Sequence, residues 1–137
     1  MQDDDMNKLF LFAGSVLISS GVMAQNPLSV HVLNLENGLP SAEVKVTLEE
    51  QKNGKWTQIA EAKTNEQGRV TALFPENRSF DNKIYKVTFK TGDWFKQNKQ
   101  TSFFPEVPVI FQTDGSVKHY HIPLLISPYG YSTYRGN

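Results

Sequence analysis

Apolar and polar residues alternate along most of this chain, and the alternation marks out a series of short strands. In residues 28–34, Leu28, Val30 and Val32 share one face and Ser29, His31 and Leu33 the other, as expected for a strand with one buried side. Residues 44–49 repeat the pattern with Val44, Val46 and Leu48 inward, and residues 84–90 with Tyr85, Val87 and Phe89. Residues 56–63 and 70–74 continue as strands with a less regular pattern, and residues 107–111 and 120–126 supply the last two. Turn residues sit at most junctions: Asn37-Gly38 with Pro40, Asn53-Gly54, Gln67-Gly68 and Asp114-Gly115. Pro108 and Pro123 remove ladder donors, which places them at strand starts, edges or bulges. Residues 75–83 are polar and predict a short helix, whereas residues 91–100 read as a polar loop carrying Trp94 and Phe95. Seven or eight short strands with turns between them describe an all-β sandwich.

The first segment does not belong to that pattern. Met6-Asn7-Lys8 is a short positive start, residues 9–22 are apolar with small side chains, and Val22-Met23-Ala24 offers a cleavage site. Residues 1–24 therefore read as a secretory signal peptide, too short and too rich in Gly and Ser for a membrane span. Met1 to Asp5 are acidic, which is wrong for such a signal and points to Met6 as the working start or to a spurious extension. Cleavage after Ala24 leaves one domain, residues 25–137, of 113 residues, enough for one modest core. The whole chain is formally neutral, and losing one lysine and three aspartates leaves the mature part at +2. That balance gives no reason to expect nucleic acid as a partner, nor a membrane once the signal is gone. The absence of cysteine excludes disulfides and thiol nucleophiles and is compatible with the bacterial periplasm.

Three histidines are the only side chains that titrate near neutrality. His31 lies on the polar face of the first strand, where a lone histidine is most simply solvent-facing. His119 and His121 are spaced to point the same way from an extended strand, as two metal ligands or as exposed residues of an edge strand. Arg69, following Gly68 where a turn enters a strand, could fork onto a planar oxygen-rich ligand or be an ordinary surface arginine. The tail after Pro128 holds Tyr129, Tyr131 and Tyr134 beside Arg135, too apolar to leave in water, so it is expected to dock.

Taken in order, Leu28-Ser29-Val30-His31-Val32-Leu33-Asn34, Gly38-Leu39-Pro40-Ser41-Ala42, Thr64-Asn65-Glu66-Gln67-Gly68-Arg69, His119-Tyr120-His121-Ile122-Pro123-Leu124-Leu125 and Tyr131-Ser132-Thr133-Tyr134-Arg135-Gly136 resemble the 5-hydroxyisourate hydrolases, the transthyretin-related protein family. The resemblance covers nearly all of the mature chain and is that of a bacterial periplasmic member. It implies a transthyretin-like sandwich of two four-stranded sheets with one short helix, assembled as a homotetramer with active sites at the dimer–dimer interface. The implied reaction is hydrolysis of 5-hydroxyisourate, with no cofactor and no metal. The implied site residues are His31, Arg69, His121 and Tyr134, of which His31, Arg69 and Tyr134 would also hold the substrate. The family's motif ends in serine after Tyr-Arg-Gly, whereas this chain ends in Asn137. Two other functions fit the same residues: a non-catalytic small-molecule carrier on the same sandwich, and a periplasmic metal-binding protein using His119 and His121.

Overall fold

The structure, a computed structural model, describes residues 25–137. The signal peptide expected at residues 1–24 lies outside the described residues. In chain order the elements are β1 (Leu28–Asn34), β2 (Leu39–Pro40), β3 (Lys45–Lys52), β4 (Lys55–Lys63), β5 (Arg69–Val70), β6 (Ile84–Phe89), α1 (Thr91–Gln97), β7 (Val107–Gln112), β8 (Tyr120–Ser127) and β9 (Gly130–Thr133). They form two sheets. One has the order β2-β1-β8-β9 with β5 also paired to β1, and the other is β4-β3-β6-β7.

The core lies between the two inner faces and is filled by the alternating positions of the strands. Leu28, Val30 and Val32 of β1, with Leu124 and Ile126 of β8, meet Val46 and Leu48 of β3 and Tyr85, Val87 and Phe89 of β6. All are essentially sealed from solvent, and each such side chain contributes about 1.5–3 kcal/mol by leaving water. The parallel pairing of β1 with β8 runs from Leu28↔Tyr120 to Asn34↔Ile126. All the other named pairings are antiparallel.

Four expectations need correction. The first sheet has five strands, not four, because the free edge of β1 is shared by two short segments. β2 pairs at Leu33 and Asn34, and β5 at Val30 and His31. The strand expected at residues 70–74 ends at Val70, since the chain leaves β1 there and rejoins only through the Leu73 N–H donating to the Leu28 carbonyl. The helix is α1, not residues 75–83. Phe95 is buried and the Trp94 indole donates to the Ala42 carbonyl at 2.8 Å, so tertiary contacts anchor this short helix. Asp93 in its first turn and Lys96 in its last also suit the helix dipole. Residues 75–83 are instead tied down as turns, with Arg78 and Lys83 on the buried Glu50 carboxylate. Finally, the described residues hold nine strands, not seven or eight, in part because the tail folds back on β8 as a strand of its own, β9. The irregular pattern of β4 has a local cause, a bulge opposite Leu48/Glu49 that breaks the period of two.

Gly68 sets where β5 meets β1. Its φ is +72°, and a Cβ there would stand 2.5 Å from the Val32 carbonyl oxygen. That carbonyl accepts from Ser41 N–H, while the Val32 N–H donates to Gly68 O at 2.8 Å. Gly68→Ala should therefore cost about 2–4 kcal/mol, the left-handed backbone plus a displaced turn. Gly54→Ala has the same sign of φ but open space around it and should cost only about 1–2 kcal/mol. Urea unfolding of both variants checks this, and equal losses would show that the close approach at Gly68 is unimportant.

Candidate active site

The side of the first sheet that faces away from the core carries the polar alternates of its strands. β1 presents Ser29 and His31, β8 presents His121 and Pro123, and β5 presents Arg69. The register brings them together, with Ser29 opposite His121, His31 opposite Pro123, and Arg69 opposite His31 on its other side. Together with Tyr134, Gly136 and Asn137 from the tail, they line a cleft of about 640 Å³. His31, Arg69, His121 and Tyr134 all border this one space.

The imidazoles of His31 and His121 face one another with their planes inclined at 29° and their centroids 6.4 Å apart. Both groups have their pKa lowered from the ordinary histidine value of 6.5. Burial is the main cause in each, since desolvation disfavours the imidazolium, and the Arg69 guanidinium adds repulsion. A backbone interaction with Gln67 at His31, and with Ser29 at His121, pushes the other way. Neutral imidazoles beside a fixed positive charge are the result at neutral pH. Arg69 makes no side-chain hydrogen bond or salt bridge among the described residues, so its guanidinium is free to meet a ligand.

The tail closes one end of the cleft. Gly136 pairs with His121, its N–H donating to the His121 carbonyl at 2.9 Å. A Cβ on Gly136 would come within 2.6 Å of His121 Cδ2 and 3.0 Å of Pro123 Cγ, so only glycine lets the backbone pass there. Arg135 lies over the Tyr120 ring at 5.4 Å. The tail is thus docked, as its composition suggested, although Tyr134 stands at the rim and remains 60% exposed.

His119 precedes β8 and is not on the strand, yet it does approach His121. Both imidazoles reach the Ser29 hydroxyl, His119 Nε2 at 2.8 Å and His121 Nδ1 at 2.7 Å. The other nitrogen of His119 bonds to the Asn26 carbonyl, so both its nitrogens are engaged within the protein. No cluster of three or more His, Cys, Asp or Glu side chains suited to a metal occurs among the described residues. Sequence reasoning passed over Ser29 and Gly136. Ser29 was detectable as the residue two before His31 on the same polar face.

Two packed sheets, the first built around a parallel β1–β8 pair and bearing a histidine- and arginine-lined cleft on its outer face, define a transthyretin-like sandwich with a polar site. The sequence model of the HIUase/Transthyretin family matches residues 28–136, and the chain belongs to that family. A 5-hydroxyisourate hydrolase from Salmonella typhi is 43% identical over 136 residues, covering 95% of this chain and 99% of that protein. Among solved structures, 5-hydroxyisourate hydrolase of Klebsiella pneumoniae superposes with a TM-score of 0.70 at 35% identity, over 80% of this chain and 98% of that one. Transthyretin from Sparus aurata gives a TM-score of 0.75 at 30% identity, over 80% of this chain and 96% of the other.

Replacing Arg69 by Gln removes a positive charge that opposes imidazole protonation. The titration midpoints of His31 and His121, followed by proton NMR of the rings, should then both rise towards 6.5. Midpoints that stay where they are would mean that the guanidinium does not act on these rings.

Proposed function

We propose that this chain hydrolyses 5-hydroxyisourate to 2-oxo-4-hydroxy-4-carboxy-5-ureidoimidazoline, a step in urate breakdown. The observation that carries the reading is the convergence of His31, His121 and Arg69 on one cleft outside the β1–β8 pair. The relatives named 5-hydroxyisourate hydrolase support it. Opening a cyclic amide requires an activated water, stabilisation of charge on the carbonyl oxygen, and a slot that holds the ring. A neutral imidazole of the His31/His121 pair takes a proton from water as the water oxygen bonds to the ring carbonyl carbon. Arg69 stabilises the oxyanion. When the C–N bond breaks, the leaving nitrogen receives the proton and the carbon keeps the oxygen as a carboxyl group. Tyr134 at the rim closes over the substrate. The cleft's titratable walls argue against an apolar carrier site, and the engaged nitrogens of His119 argue against a His119/His121 metal site.

Hydroxyisourate generated in situ by urate oxidase, and followed spectrophotometrically, tests the proposal directly. Decay should be accelerated and insensitive to chelator; a folded protein without effect on the decay would refute the reading. kcat/KM should hold through neutrality and fall only below pH 6.5, because the base works as a neutral group and its pKa is lowered. His31→Ala and His121→Ala should each lose about 10²–10⁴-fold. His119→Ala should lose much less. Asn137 has no nucleophilic hydroxyl, so attack by water, with no covalent serine intermediate, predicts that Asn137→Ser changes kcat by at most about tenfold, near 1.4 kcal/mol. Deleting Tyr134 to Asn137 should cost far more, since it removes the rim and the strand cover over His121.

The same reading includes a homotetramer in the bacterial periplasm, with sites at the dimer–dimer interface. Exposed Phe103, Ile110, Tyr129 and Tyr131 are the apolar surface that association would cover, and the cleft opens on an outer sheet face that a second copy could roof. Sedimentation at micromolar concentration should give a tetramer, and the periplasmic chain should have an intact mass that begins at Gln25. A monodisperse monomer would contradict the assembly, and a retained leader the export.

A further inference from the structure

A chain of hydrogen bonds along the wall of the cleft leads to His121 and has a direction. It starts at the Asn26 carbonyl, which is held in place because the Asn26 side chain bonds to Phe74 O, Phe74 N and Leu28 N. The next links are His119 Nδ1 against that carbonyl at 2.5 Å, His119 Nε2 against Ser29 Oγ at 2.8 Å, and Ser29 Oγ against His121 Nδ1 at 2.7 Å. Ser29 and His121 are both buried, so water does not readily substitute for these partners.

Counting protons settles the direction. A carbonyl oxygen only accepts, so the Nδ1 of His119 carries the hydrogen there. The Nε2 of the neutral ring is then a lone pair, and the single hydroxyl proton of Ser29 goes to it. Towards His121 the Ser29 oxygen is left as an acceptor, so the His121 Nδ1 must donate. Reversing the order would set a ring lone pair against the Asn26 carbonyl. With its proton on Nδ1, neutral His121 keeps Nε2 as a lone pair, and that atom has no protein partner among the described residues.

We propose that Ser29 and His119 are positioning residues that hold neutral His121 in its Nδ1–H tautomer, reserving Nε2 to accept a proton in the cleft. The inference rests on the hydrolase reading for its purpose, and it singles out His121 as a ring whose acceptor atom is set in advance. The order of the links gives each residue a distinct part. Asn26 orients His119, His119 takes up the serine proton, and Ser29 thereby becomes the acceptor that His121 needs. The role of a histidine whose second nitrogen is fixed by a hydrogen bond is a general one.

The test reads the tautomer without substrate. In protein labelled with 15N-histidine, at about pH 8 where imidazoles are neutral, two-bond proton–nitrogen correlations of the wild type should show His121 as Nδ1–H. Ser29→Ala should move His121 towards Nε2–H and lower kcat about tenfold, near 1.4 kcal/mol, with KM changed less than about twofold. Ser29→Thr keeps the hydroxyl and should restore both readings. His119→Ala should shift the tautomer in the same direction as Ser29→Ala. A wild-type His121 in the Nε2–H form, or a Ser29→Ala spectrum with His121 unchanged, overturns the proposal. Should Ser29→Ala not fold, the wild-type and Ser29→Thr spectra still decide it. An inactive protein with His121 as Nδ1–H would sink the hydrolase reading alone, and an active one with His121 as Nε2–H would sink the relay alone.

Discussion

The parallel pairing of β1 with β8 is the constraint on which the site depends. Its register sets Ser29 opposite His121 and His31 opposite Pro123, and the period of two then turns all of these outward together. A slip of one residue would send the histidines into the core and Val30, Val32, Leu124 and Ile126 into water. The buried apolar face therefore enforces the geometry of the polar one. Because the two strands are parallel, a crossover must connect them, and here it runs through the second sheet, touching the first on the way at β2 and at β5, which delivers Arg69.

The electrostatics of the cleft follow from where that outer face is covered. Ser29 and His121 are buried although they point away from the core: Gly136 of the tail lies against His121, and the His119 and His121 imidazoles close on the Ser29 hydroxyl. Partial burial disfavours imidazolium, and Arg69 from β5 adds a charge of the same sign. The arrangement gives what base catalysis requires, a neutral acceptor near a permanent cation, with no aspartate or glutamate side chain among the residues that line the cleft. Gly68 and Gly136, like Gly92 beside Pro105, are points where backbone passes too closely for a side chain, and the first two sit against elements that hold site residues. The precision of the site thus comes from backbone contacts as much as from the functional side chains.

Much of this protein was legible in its sequence. Alternation located β1, β3 and β6 with their buried faces, because a strand half buried in a sandwich imposes period two on its residues, whereas β7 and β8 were legible as apolar strands without a face, β8 being buried at almost every position. His31 on the polar face of β1 and Arg69 after a Gly turn were likewise visible, and the motifs carried the family. Tertiary structure decided the rest. α1 forms where Phe95 and Trp94 find partners, not where the local sequence is most polar, since a seven-residue helix is too short to be stable by propensity. β2, β5 and β9 are strands because β1 and β8 offer free edges, a property of the partner and not of the short segments themselves. Above all, Ser29 and His119 are ninety residues apart. Only the folded register brings a serine hydroxyl and two imidazoles within hydrogen-bonding distance, and no local pattern records a contact between distant strands.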